Sequence, residues 1–203
     1  LSTIAGQLAS IVGSYHLLKH NEGKGVMIGK LNNIEPRVVS VIGAGVAGTQ
    51  SISKALDNHA LVKVLDTSES KLQKLESEFG SNNIEYILST TDSVQCAINE
   101  SDLVIGSVYV VGKEAPKVVS KDMLTSMNPG TVMVDVSIDQ GGCFETSRPT
   151  THDNPTFLEN DIVHYCVTNM PGAVPLTATQ ALNKVTLSYI AVSYTHLRAH
   201  ETG

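Results

Sequence analysis

The chain has 203 residues, 41% of them hydrophobic and 17% charged, and a net charge of −6. That balance is ordinary for a globular protein of one to one and a half domains. It speaks against a nucleic-acid partner, since no basic run or aromatic–basic patch is present, and no apolar stretch is long enough to span a bilayer.

Leu1 opens inside an apolar-periodic segment, with neither the basic start nor the cleavage site of a signal peptide, so the chain is expected to be a fragment. From Ser2 to His20, the residues Ile4, Leu8, Ile11, Val12, Tyr15 and Leu18 fall on one helical stripe. Ala5, Gly6, Ala9 and Gly13 beside that stripe predict close packing against a neighbour. Gly23, Gly25 and Gly29 break the pattern, and Pro36 precedes the first strand. Strands are expected at Val38–Ile42, Leu61–Leu65, Ile84–Leu88, Leu103–Val108, Thr131–Ile138 and Ile162–Val167. Helices are expected at Val46–Leu56, Ser68–Phe79, Asp92–Glu100 and Ala115–Met127, with a last helical run from Leu176 to Ile190 capped by Thr177. The alternation predicts an α/β fold: a Rossmann-type doubly wound parallel sheet flanked by helices. Cys96, Cys143 and Cys166 are odd in number and widely spaced, which predicts no disulfide framework and no metal site. A reducing compartment, the cytoplasm by default, fits them.

The first expected strand runs into Gly43-Ala44-Gly45-Val46-Ala47-Gly48. This spacing, between a strand and an opening helix, is that of a dinucleotide-binding turn. Gly43 permits the tight turn, Gly45 the approach of backbone to a pyrophosphate, and Gly48 the packing of helix on strand. The unpaired N–H groups and positive dipole end of that helix suit phosphate. Asp66 ends the second apolar run, where a carboxylate can accept both hydroxyls of a ribose and would repel a 2′-phosphate. NAD is therefore expected over NADP, with Lys71 the nearest cation.

Four further segments exceed what a generic dinucleotide fold requires: APKVV at 115–119, VDVSIDQGGC at 134–143, SRPTTHDNP at 147–155 and NMPGAVP at 169–175. On these the chain resembles the alanine dehydrogenases, within the alanine dehydrogenase and transhydrogenase superfamily, from about Leu1 to Ile190. The run IDQGGCFETSRPTTHDNPTF at 138–157 carries most of the likeness. The resemblance implies a homohexameric enzyme that reversibly oxidises L-alanine with NAD to pyruvate and ammonium.

By the same resemblance, Asp139 lies where the family has a catalytic aspartate at the nicotinamide end. Its place at the C-terminal edge of an expected strand agrees, and a turn acid before Gly141-Gly142 is the competing structural role. Asn169 and Met170 match a segment at the nicotinamide, with a chain-redirecting loop as the alternative. Ser89 and Val108 match positions near the adenosine and its ribose. Ser2, Lys71, Val136 and Val167 complete the implied cofactor set, with arginine common in the family where Lys71 stands. Asp135 is expected to be a buried structural acid, His152 a turn residue, His164 a core residue, and Cys143 a thiol without an activating base.

In the family, the general-acid histidine and the lysine and arginine that grip substrate precede the first helix. The chain alone is thus expected to bind NAD without turning over alanine. Residues 1–175 are expected to form the NAD-binding domain and 176–191 a helix returning to a substrate domain. Residues 192–202, VSYTHLRAHET, read as the in-frame translation of a transposase sequencing adapter, so 192–203 is expected to be an artefact. Two rival functions are the soluble NAD-binding component of a proton-translocating transhydrogenase and a non-catalytic NAD-binding module.

Overall fold

In a computed structural model, which describes residues 1–184 and 186, the first helix α1 spans Ser2–His16. It stops four residues before the expected His20, and Lys19–Asn21 forms a separate 3-10 turn closed by Glu22 in the left-handed region. There follow β1 (Val38–Ile42), α2 (Val46–Asp57), β2 (Leu61–Asp66), α3 (Glu69–Phe79), β3 (Ile84–Leu88), α4 (Thr91–Glu100), β4 (Leu103–Gly106), β5 (Val132–Asp135), β6 (Thr156–Glu159) and β7 (Ile162–Tyr165). The seven strands form one sheet in the order β3-β2-β1-β4-β5-β7-β6. Every pairing is parallel except the last, where β6 runs antiparallel to β7 at the edge.

Alternation along the strands divides the core into two layers. Val39, Val41, Val62, Val64, Leu103, Ile105, Val132 and Val134 face α1, α2 and α3. Leu65, Val104 and Met133 face α4 and the segment that carries Val119, Leu124 and Met127. At roughly 1.5–3 kcal/mol for each fully buried large aliphatic side chain, these two layers dominate the stability of the sheet. Ser40, fully buried within β1, stays paired through a 2.7 Å contact with the Ser101 hydroxyl. β1 and β4 are neighbours although β1 connects first to β2, so the winding reverses between them. An open parallel sheet binds ligands in the crevice at that reversal, beyond the C-terminal ends of the strands.

Three expectations fail locally. Residues 115–127 are not a helix: Val118 N donates to Cys143 O at 2.8 Å, Glu145 N to Val119 O at 2.8 Å, and only Asp122–Ser126 makes a 3-10 turn. The paired valines gain more from pairing along 143–145 than a helix starting at Pro116 would give them. The expected strand Thr131–Ile138 ends at Asp135, because the Asp135 carboxylate accepts the Ser137 N–H at 2.9 Å and opens a 3-10 turn, Val136–Gln140. β6, a four-residue strand that begins directly after the Pro149–Pro155 stretch, was not expected at all.

Ser2–Met170 form one compact unit, and the described residues from Pro171 onward belong to another. In the second, 175–184 is helical, with Pro175 in the first turn, where a missing N–H is harmless, so Thr177 lies inside the helix rather than capping it. The rest of the expected run to Ile190 and the tail 192–203 lie outside the described residues, apart from Thr186. Among the described residues no helix is long and apolar enough to cross a membrane.

Candidate functional site

The turn after β1 uses its three glycines for three different reasons. Gly43 sits at φ +105°, and a Cβ there would stand 2.6 Å from the Ser107 carbonyl oxygen. A Cβ on Gly48 would lie 1.8 Å from the Gly43 carbonyl oxygen, so α2 touches the turn through bare backbone. A Cβ on Gly45 would meet nothing within 4 Å. The first two glycines are demanded by the protein itself, and the third leaves open space above the turn. Gly45 caps α2 without any side-chain hydrogen bond, so the N–H groups of Val46, Ala47 and Gly48 begin the helix without intrahelical partners. An anion lying over Gly45 would find these donors and the positive end of the helix.

Asp66 ends β2 with its side chain turned back to this turn. It is 8% exposed and accepts from Ala44 N and Ser68 N, both at 2.8 Å, while the Lys71 ammonium stands 3.6 Å away. A carboxylate offers about four acceptor positions, so two backbone donors leave capacity for ribose hydroxyls. Ser89, past the end of β3, is tied to the same place by Ser89 N donating to Asp66 O at 2.9 Å. Ser2 starts α1, whose packing on α2 is register-specific. Gly6 meets the Ala47 carbonyl, with room for no side chain, and Ser10 donates to Ser51 O at 2.9 Å. The two helices therefore run alongside in the same direction, and Ser2, one turn before Gly6, comes at the glycine-turn end.

On the other side of β1, Val108 follows β4 and its carbonyl accepts from the Ser137 hydroxyl at 2.8 Å. Val136 opens the 3-10 turn beyond β5, and Asp139 stands exposed on it. Asp139 is thus displaced from the expected strand end to the tip of a turn, where its carboxylate accepts from Asn169 N at 3.3 Å. Asn169, in the left-handed region at φ 51°, is exposed after β7. Val167 and Met170 are buried, so at this edge they can offer a ligand backbone only. Across the sheet, the residues fall in the order Ser89, Asp66, Gly43–Gly48, Val108, Val136 and Asp139, then Val167 and Asn169. Strands stand about 4.8 Å apart, so from Asp66 on β2 to Asp139 after β5 is roughly 14 Å.

Residues that sequence reasoning gave no part in the site hold the turns in shape, among them Asp135, a buried structural acid as expected. The Ser107 hydroxyl donates to Gly43 O at 2.8 Å. Asp135, fully buried, accepts from Ser137 N, Cys143 N, Phe144 N and the Ser147 hydroxyl, the last at 2.5 Å. Burial pushes its carboxyl up against the opposing pull of those donors. The Lys117 ammonium donates to Gly141 O at 2.5 Å and to Gly142 O at 2.7 Å. Ser107 and Lys117 act on partners 64 and 24 residues away and have no local signature.

His164, Cys143 and Cys166 are buried away from this edge's exposed groups. His164 is fully buried between Ile162 O (3.0 Å) and the Thr146 hydroxyl (2.7 Å), stacked on Phe157, and burial lowers its pKa. Burial, then the nearby Asp135, raises the Cys143 thiol well above its usual range and pushes Cys166 up to about 12. Neither is a ready nucleophile. His152 is exposed, and the Arg148 guanidinium lies 4.1 Å over the Phe157 ring. Among the described residues, no group of three His, Cys, Asp or Glu side chains could hold a metal ion. Two shallow concavities, of about 380 and 210 Å³, open at the opposite, N-terminal edge of the sheet, beside Pro36, Leu61 and Asn83 and beside Gly130 and Asp161. The glycine turn and Asp66 lie at the C-terminal edge, where an open parallel sheet binds ligands, and these concavities lie at the other edge.

Residues 9–200 match the family described as alanine dehydrogenase/PNT, C-terminal domain. The chain is 46% identical over 190 residues to the alanine dehydrogenase of Halomonas elongata, covering 94% of this chain and 51% of that protein. A solved L-alanine dehydrogenase superposes with a TM-score of 0.90 at 43% identity, over 93% of this chain and 52% of that one. A transhydrogenase from Sinorhizobium meliloti shares the fold, with a TM-score of 0.78 at 24% identity over 93% of this chain and 53% of that one. The chain spans about half the length of the curated relatives it matches.

Proposed function

From the premise that the chain belongs to the alanine dehydrogenase/PNT C-terminal domain family, we propose that it is the NAD-binding half of an enzyme that oxidises L-alanine to pyruvate and ammonium. The observation that carries this reading is the order of residues along one sheet edge. A ribose acceptor, Asp66, comes first, then a bare glycine turn, then an exposed carboxylate, Asp139, within roughly the length of an extended dinucleotide. The adenosine ribose belongs on Asp66, the diphosphate over Gly45 and the N–H groups of Val46, Ala47 and Gly48, and the nicotinamide toward Val136, Asp139, Val167 and Asn169. Ser2, Ser89, Val108, Lys71 and Met170 frame that path.

NAD, when bound, supplies the acceptor for the hydride leaving the amino-acid Cα. The chain's own residues bind, orient and counter charge. Asp66, a nearly buried carboxylate at the place of the ribose, would repel a 2′-phosphate. Asp139 is exposed and restrained by a single backbone donor, so its carboxylate can orient a water or offset positive charge developing on the substrate nitrogen. The remaining substrate-gripping groups belong to the other half of the intact protein, which we take to be a homo-oligomer.

Calorimetric titration of the 203-residue chain with NAD and NADP tests the cofactor assignment, and binding of NAD well ahead of NADP is expected. Equal affinity for both would overturn it. Joined to a relative's substrate-binding half, the chain should form NADH from alanine, and Asp139→Asn should remove turnover and weaken NAD more than ADP. Alanine-dependent NADH formation by the isolated chain would refute the division of labour.

A further inference from the structure

The turn that carries Asp139 is closed at its exit by a cation from another segment. Ala115 N donates to Gln140 O at 2.9 Å and Val118 N to Cys143 O at 2.8 Å, so 115–118 runs beside 140–143. Between these two rungs lie Gly141 and Gly142, at φ +87° and +77°. Two successive left-handed residues reverse the chain sharply, and among the described residues neither glycine carbonyl accepts a backbone N–H. Both are taken instead by Lys117, whose ammonium lies 2.5 and 2.7 Å from them. The entry of the same turn is fixed by Asp135 through Ser137 N. Asp139 sits midway, with Asn169 N at 3.3 Å as the side chain's own restraint.

We infer that Lys117 is a positioning residue for Asp139: by holding the Gly141 and Gly142 carbonyls, its ammonium sets where the Asp139 carboxylate stands at the nicotinamide end. The inference rests on the cofactor path proposed above. A charge-assisted pair of hydrogen bonds is about twice as strong as a neutral pair and fixes direction as well as distance. A lysine serving only general stability would affect every ligand alike, whereas a positioning lysine acts at one end of the dinucleotide.

The test uses the full chain and two ligands, NAD and ADP, the second carrying adenosine and diphosphate but no nicotinamide riboside. Lys117→Met should weaken NAD roughly tenfold, the scale of one lost hydrogen bond to a charged group, and leave ADP within about twofold. Lys117→Arg, which keeps the cation, should recover most of the NAD affinity. Equal losses for both ligands, or no loss for either, would overturn the positioning role while leaving the cofactor path standing. A wild-type chain that binds neither ligand would bring down the cofactor path and this inference together.

Discussion

The same small substitution at two glycines three residues apart should have opposite consequences. At Gly45 the backbone has φ −81° and ψ −170°, which any L-residue adopts, and a Cβ has open space around it. Gly45→Ala should therefore stabilise the free chain by about 0.4–1 kcal/mol through the unfolded state, raising Tm by about 1–4 °C at this size. The added methyl occupies the space over which a diphosphate must lie. Overpacking of this kind costs about 1–3 kcal/mol, so NAD should bind roughly 5- to 150-fold more weakly. At Gly48 the new Cβ would begin 1.8 Å from a backbone oxygen of the turn itself, which cannot swing aside as a side chain could. Helix propensity returns about 1 kcal/mol, but overpacking at the upper end of its range leaves a net loss of about 2 kcal/mol, or about 4–8 °C in Tm. Thermal denaturation followed by far-ultraviolet circular dichroism, with calorimetric NAD titration of each variant, measures both quantities. A Gly45→Ala chain that melts below wild type, or that binds NAD undiminished, refutes the account of that glycine, and a Gly48→Ala chain as stable as wild type refutes the account of the other.

Asp66→Asn replaces an acceptor-only group by one whose nitrogen cannot accept from Ala44 or Ser68; NAD should weaken about tenfold and the preference over NADP should shrink. An unchanged ratio of the two affinities would show that Asp66 does not set the preference. Burial lowers the pKa of His16 and His164, so near pH 6 the unfolded chain holds more protons on them than the folded one. Stability should then rise with pH through the window below about 6.5 and be lost as pH falls through it, with a lower Tm at pH 5.5 than at 7.5. His16→Leu should reduce that slope, and an identical slope in the variant would exclude His16 as a source. Of the three cysteines only Cys96 is exposed, so a thiol reagent should label one equivalent in the native chain and three after denaturation. Rapid labelling of three equivalents without denaturant would contradict the burial of Cys143 and Cys166.

The central strands were legible because a strand buried on both faces must be apolar along its length. β1 coincides with its expected range and β2 is longer by Asp66 alone, while β3, at the edge and partly exposed, also coincides. β6 was not legible: Thr156–Glu159 is half-buried, four residues long and on the edge, and leaves no apolar run to notice. The segment 115–127 misled because its apolar residues suggest a helix, while Val118 and Val119 lie extended along 143–145 and only Asp122–Ser126 makes a 3-10 turn. In the site, Gly43, Gly45, Gly48 and Asp66 could be read because their chemistry is local to one strand–turn–helix unit. Asp139 was placed by resemblance, and its position at the tip of a 3-10 turn depends on Asp135, Cys143 and Lys117, which contact one another's segments only in the folded chain.

The contact between α1 and α2 changes what counts as the unit that folds around the cofactor. By motif, a minimal domain would begin at Val38, with the first strand of the βαβ unit. Yet the outer face of α2 is closed by Gly6 against the Ala47 carbonyl, by Ser51 donating to Gly6 O at 2.8 Å and by Ser10 donating to Ser51 O. Cutting the chain before Val38 would bare that face and take the Gly6 partner from the Ser51 hydroxyl, beside the very turn meant to hold phosphate. Anyone transplanting this module into another protein would have to carry α1 as an integral wall rather than trim it as a leader.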